Sequence, residues 1–293
     1  MNENDWLAER FEADRGRLRA VAFRMLGSLN EADDAVQDAW IRCNRSGAAG
    51  VENLSGWLTT IVARVCLNML RSRKARREDS LDDQDPRWGA RSEDGTDPES
   101  EAVLADSVGL ALLVVLETLS PAERLAFVLH DTFAVPFDEI APIVGRSPAA
   151  TRQLASRARR RVRGSPVPQS DLSRQRAVVD AFILASRSGD FDALLAVLDP
   201  DVVLRVDATA VPQGAPREIR GAAAVARGAL AFQTRSRFAA PALVNGSVGI
   251  VLAPYGRLFG VGRFTFRNGR ILEMELVADP ERLSELELAV LGD

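Results

Sequence analysis

Apolar residues between Leu7 and Arg45 recur at helical spacing (Leu18, Val21, Ala22, Met25, Leu26), and a second set follows through Ala35, Val36, Ala39, Trp40 and Ile41. The pattern predicts two helices divided at Gly27-Ser28-Leu29-Asn30, then a loop over Ser46 to Ser55. Trp57 to Val65 opens a third helix that runs into the basic tail Arg71 to Arg77. Residues 80–100 hold one large apolar residue after Leu81, Trp88, among Asp, Glu, Ser, Pro and Gly. Such a stretch cannot repay its ordering entropy by burial and reads as a flexible linker. Helical patterns resume at Glu101 to Leu119, Pro121 to His130 and Phe137 to Val144, and a last one starts at Ser147. Beyond Gly164-Ser165-Pro166-Val167-Pro168 the texture changes. Helical patterns at Ser173 to Ser186, Phe191 to Leu198 and Ala222 to Ala231 accompany strand-like runs at Val202–Val206, Phe238–Leu243, Gly249–Leu252, Leu258–Arg267 and Ile271–Leu276. All-α segments followed by an α+β segment are the expected fold class.

A chain of 293 residues is long enough for two or more such domains. No run approaches the ~18 apolar residues that span a bilayer. Met1 to Arg15 is charged throughout and lacks the apolar core of a signal peptide, so a cytoplasmic protein without membrane contact is expected. Cys43 and Cys66 are the only cysteines and His130 the only histidine. A disulfide framework, a Cys/His zinc site and a Ser/His/Asp triad have too few parts, and no cofactor or metal is expected. The net charge of −4 hides a sorted distribution: residues 80–107 carry nine acids against two bases, residues 108–164 eight bases against five acids. Clustered arginines at 71–77 and 152–163 are where nucleic acid would be met.

The sharpest local signal is Phe137 to Leu154. An amphipathic helix is followed by Gly145 where the chain must turn, then by Ser147 as N-cap and Pro148 at the first helical position, the punctuation of a helix-turn-helix. In the second helix Thr151, Leu154, Ala155, Ala158 and Val162 lie on one side for packing, and Arg152, Gln153 and Ser156 lie opposite, where a recognition helix meets base edges. Arg157, Arg160, Arg161 and Arg163 follow, placed for phosphate. Arginine can bridge guanine O6/N7 and glutamine can pair with adenine. An Arg-rich solvated helix end would show the same composition.

Glu31-Ala-Asp-Asp-Ala-Val-Gln-Asp-Ala-Trp-Ile-Arg42, then Trp57-Leu58 opening a helix with a basic end, then the helix-turn-helix ending Ser156-Arg-Ala-Arg-Arg160, resemble a bacterial sigma factor of the extracytoplasmic-function class over residues 1–164. The resemblance implies that residues 1–79 bind the RNA polymerase core and the minus-ten promoter element. Residues 80–105 would be the linker, and 106–164 the helix-turn-helix for the minus-thirty-five element. Its partners would be promoter DNA and the polymerase's β′ clamp and β flap. By family position Asp34, Gln37, Asp38 and Trp40 face the polymerase; Asn53, Ser55, Arg64, Asn68, Arg71 and Arg73 meet the melted minus-ten strand.

Residues 168–293 resemble a SnoaL-like domain of the cone-shaped α+β superfamily, which some sigma factors of this class carry as a fused regulator. Such fused factors carry Asn-Pro-Asp-Lys-Leu near the end, approximated here by Asp279-Pro280-Glu281-Arg282-Leu283, and an Asp-initiated glycine motif, reduced here to Asp207-Ala208-Thr209-Ala210-Val211. Asp207, Asp279, Pro280 and Leu283 are therefore candidate regulatory residues. A rival reading makes this domain a small-molecule binder or isomerase built on Asp207 and Tyr255, with an unknown ligand, tethered to the DNA-binding helices. An apolar stripe of Leu283, Leu286, Leu288, Val290 and Leu291 either packs on its own domain or reaches another surface.

Overall fold

Three long helices take up the first apolar pattern: α1 (Glu3–Leu26), α2 (Leu29–Ser46) and α3 (Leu54–Asp79). They belong to a computed structural model that describes residues 3–48, 51–79, 109–164, 169–210 and 216–291. Gly27 takes φ +79°, and Ser28 caps α2 by accepting from the Glu31 N–H, so the dividing turn is two residues shorter than the sequence suggested. Leu18, Val21 and Met25 interlock with Ala32, Ala35 and Ala39 and with Leu58, Val62 and Cys66, all fully or nearly fully buried. The expected acidic linker lies outside the described residues.

Helix α4 (Leu110–Glu117) leads to a capping box in which Ser120 and Glu123 satisfy each other's backbone N–H groups and start α5 (Pro121–Phe127). The expected helix to His130 instead opens into a π-turn at Val128–Thr132. The helix-turn-helix follows as α6 (Phe137–Val144) and α7 (Pro148–Arg163), with Gly145 between them in the left-handed region (φ 74°, ψ 40°). The chain divides into two compact units, Met1–Glu101 with Leu116–Arg160, and Ala102–Val115 with Arg161–Asp293.

The second unit carries α8 (Gln169–Ser188) and α9 (Phe191–Val197), then β1 (Leu198–Val206), β2 (Glu218–Arg220), α10 (Ala222–Ala231) and α11 (Gln233–Ser236). After these come β3 (Ala239–Val244), β4 (Ser247–Leu252), β5 (Gly260–Arg267), β6 (Arg270–Val277), α12 (Pro280–Ser284) and β7 (Leu288–Ala289). One seven-stranded sheet has the order β2-β1-β6-β5-β4-β3-β7, antiparallel except for the parallel pair of β1 and β6. Helices α8, α9 and α10 cover one sheet face around Phe182, Leu198, Val202, Val225, Phe264 and Ile271. Phe182 and Phe264 meet edge to face at 5.9 Å. Fold class and strand order of appearance follow the expected helices-then-strands layout.

Two edge strands escaped the sequence reading, because three and two residues cannot display an alternation. The apolar stripe past Glu281 is not one continuous element. It breaks into α12 and β7; β7 pairs with β3 and Leu291 packs against the helix–sheet core, while the Val290 N–H donates to the Val162 carbonyl at the end of α7 at 2.8 Å, so the stripe both folds on its own domain and reaches the last turn of α7.

Two substitutions test this packing by chemical denaturation. Phe264→Ala removes a ring from the sheet core and is expected to cost about 3–5 kcal/mol. Ser120→Ala, which breaks the capping box, is expected to cost about 1 kcal/mol.

Candidate nucleic-acid interface

Helix α7 begins where Ser147 accepts from the Ala150 N–H at 3.2 Å, while its backbone carbonyl takes the Thr151 N–H at 2.9 Å. Thr151, Ala155 and Ala158 are fully buried. Arg152, Gln153, Ser156, Arg157 and Arg160 are all exposed and fall on the opposite side. The five residues singled out in the sequence thus share one exposed face. Arg159 points elsewhere and is neutralised by Asp131 of the π-turn.

In α3, Arg64, Asn68 and Arg71 are exposed and spaced by four and three residues, so they form one stripe, and half-buried Trp57 falls on the same line. Asn53 stands at the head of the helix with Oδ1 accepting from the Gly56 N–H at 3.0 Å. Ser55 is engaged with α1: its hydroxyl accepts from Arg17 at 2.9 Å and donates to Asp14 at 3.2 Å. Arg73 departs from the expected set. It lies across the helix from that stripe, ion-paired with Glu31 and donating to the Leu26 carbonyl at 3.3 Å, because the end of α1 needs a donor there.

On α2, Asp34 and Gln37 are exposed and Asp38 half-buried, and exposed Ile41 (42%) extends the same face by one turn. Trp40 turns away from them and packs on Phe11 with ring centroids 5.0 Å apart, so its main contact is inside the helix bundle. Ile41 could have been found from its place one heptad after Asp34.

Nothing in the apolar pattern marks Arg124. Its side chain is 3% exposed, Nε donates to the Arg24 carbonyl at 3.1 Å, and one terminal nitrogen has no hydrogen-bond partner among the described residues. Burial pulls the guanidinium down to about 10, with Glu117 opposing the shift, so it stays charged at neutral pH. Arg24 makes a cation–π contact with Phe133 at 5.2 Å. Nearby Cys66 is fully buried and its thiol is pushed up to about 12 by desolvation; that of Cys43 rises to about 11.

In the second unit Asp207 accepts from the backbone N–H groups of Ala278 and Asp279, at 3.0 and 3.1 Å, and pairs with Arg282. Arg282 also binds Glu275, the chief reason its guanidinium is held above its usual range. Asp279 caps α12 through the Arg282 N–H, Pro280 opens that helix, and Leu283 is half-buried beside it. The two partial motifs therefore meet in one cluster, where every oxygen role of Asp207 is structural. Tyr255, the other residue of the isomerase reading, has its side chain outside the described part of the structure. No helix among the described residues is long and apolar enough to cross a membrane.

Residues 10–76 match the family model of sigma-70 region 2 and residues 109–162 that of sigma-70 region 4. The chain is 36% identical over 288 residues to the ECF RNA polymerase sigma factor SigJ of Mycobacterium tuberculosis, covering 94% of this chain and 92% of the relative. It is 40% identical over 209 residues to the probable ECF sigma factor SigI of the same species, covering 71% and 72%. A crystal structure of M. tuberculosis SigJ aligns over 94% of this chain and 98% of that one, with 33% identity and a TM-score of 0.47.

Desolvated thiols are poor nucleophiles, so both cysteines should resist alkylation at pH 8 in the native chain. Arg124→Ala, which loosens the packing beside Cys66, should accelerate labelling of Cys66 by at least tenfold over Cys43, read by mass spectrometry of the alkylated peptides.

Proposed function

The chain belongs to the extracytoplasmic-function sigma factors of bacterial RNA polymerase, and from that premise we propose which of its surfaces do the work. As a sigma factor it directs core polymerase to specific promoters and acts by binding, not by catalysis. The observation that carries the assignment is the single exposed face shared by Arg152, Gln153, Ser156, Arg157 and Arg160 on the second helix of a helix-turn-helix. On this reading Arg152 and Gln153 touch base edges of the minus-thirty-five element, and Arg157 and Arg160 neutralise phosphate.

Residues 1–79 supply the polymerase and minus-ten contacts, and 106–164 the minus-thirty-five contacts. Arg64, Asn68 and Arg71 track the melted strand below Asn53, where base edges become readable once splayed out. Ser55 and Arg73 support that surface from behind, through Asp14, Arg17 and Glu31. Asp34, Gln37, Asp38 and Ile41 form the polymerase-facing patch, with Trp40 fixing α2 against α1. Residues 168–293 regulate the factor, and the Asp207–Arg282–Asp279 cluster with Pro280 and Leu283 holds the surface through which they do so. The site of action is the cytoplasm, where the polymerase is.

In vitro transcription with core polymerase, the full chain and a pool of genomic templates tests the assignment; initiation at no promoter would overturn it. Arg152→Ala and Gln153→Ala should change which minus-thirty-five sequences are used. Arg160→Ala should weaken all sites together and lower the salt slope of binding by about one ion. Equal losses across every base variant for all three substitutions would contradict the division of labour.

A further inference from the structure

His130 is the chain's single histidine, and no step of promoter recognition described so far uses it. Its ring stacks on Phe137 with centroids 3.8 Å apart and planes inclined by 28°. Its Nδ1 bonds the Val135 carbonyl at 3.0 Å, which requires the proton on that nitrogen and fixes the ring's orientation. One face of Phe137 is thereby covered. Over the same ring, 5.3 Å from its centroid, sits the guanidinium carbon of Arg152. Phe137 opens the first helix of the helix-turn-helix and Arg152 lies in the second turn of the other, so the contact ties the two helices together at their DNA-facing ends.

We propose that Phe137, backed by His130, is a positioning residue for base recognition, holding Arg152 in the conformation in which it reads the minus-thirty-five element. The inference rests on the base-reading role given to Arg152 above. Cation–π attraction acts through the charge of the guanidinium and takes none of its N–H donors. Among the described residues Arg152 has no carboxylate or carbonyl partner, whereas Arg159 is held by Asp131. The stack therefore restricts a long side chain while leaving its fork free for guanine O6 and N7. An arginine restricted before binding gives up less rotamer freedom when it meets its base, and that saving is realised at the one sequence where the fork fits.

The test compares the full-length wild type, Arg152→Ala, Phe137→Leu, Phe137→Tyr and the Phe137→Leu/Arg152→Ala double variant. Each is assembled with core polymerase on a promoter library randomised across the minus-thirty-five element. Arg152→Ala should relax selection at one base position, and Phe137→Leu should relax it at that same position by roughly three- to tenfold. The double variant should be no worse than Arg152→Ala, and Phe137→Tyr, which keeps the ring, should select like wild type. If Arg152→Ala leaves base preference unchanged, the base-reading role itself fails and the positioning role falls with it. If Arg152→Ala relaxes selection but Phe137→Leu keeps it, or lowers every promoter evenly, the positioning role alone is overturned. A measurement independent of transcription covers a Phe137→Leu chain that folds poorly. In the free wild-type protein the Arg152 δ-methylene protons should be shifted upfield by the ring current, and their absence from that region would overturn the stack outright.

Discussion

A helix leaves its last carbonyls without partners, and at the end of α1 two guanidinium groups arrive to supply donors. Arg73 from α3 reaches the Leu26 carbonyl, and Arg124 from α5 reaches the Arg24 carbonyl. Within the first unit these bonds join α3 to α1, and the segment matching sigma-70 region 4 to the segment matching region 2. The contact is specific in direction yet modest in strength. A buried arginine with an unsatisfied nitrogen gives back much of its desolvation cost when it returns to water, so parting α5 from α1 releases a charge that hydration welcomes. A leucine in the same place would adhere more firmly and point nowhere.

Much of this was legible in the chain before any coordinates. Apolar spacing located α2, α6, α9 and α10 to within a residue or two; α2 and α6 are bounded at Gly47 and Gly145, α9 starts on its Asp190 cap and α10 follows Gly221. The exposed face of α7 was legible because its small buried residues fix the phase, and the phase fixes what points outward. Arg73 and Arg124 were not legible. Both sit where charge is counted as solvent-facing, and only the tertiary arrangement of helix ends converts them into caps, Arg73 half-buried and Arg124 buried. Trp40 misled in the opposite sense, since an aromatic beside acidic residues reads equally well as an interface or as the Phe11 contact it makes.

The second unit shows a similar separation between pattern and partner. Its helix-covered face is apolar, and the other face is lined with ion pairs: Arg205 with Glu218 and Glu273, Arg263 with Glu275, Arg282 with Glu275 and Asp207. Asp199 is buried at the start of β1 and held by Arg267, whose hydrogen bonds keep that carboxyl below its ordinary range. These cross-strand pairs are partly exposed and each adds little to stability. They also engage the polar groups of that face, with Asp207 committed to backbone N–H groups and an arginine.

The π-turn at Val128–Thr132 places one more residue in its turn than an α-helix would hold. It closes with Ala134 at φ 55° and the Val135 N–H on the Leu129 carbonyl. That single extra residue presents His130 to Phe137 and Asp131 to Arg159, so both props behind the recognition helix issue from it. Loss of one residue here would rotate the turn and withdraw both props without changing any residue of α7. On the proposed role of α7, an indel in this turn shifts the set of promoters a lineage uses without altering one residue of the helix itself, and two relatives with identical α7 sequences need not share a regulon.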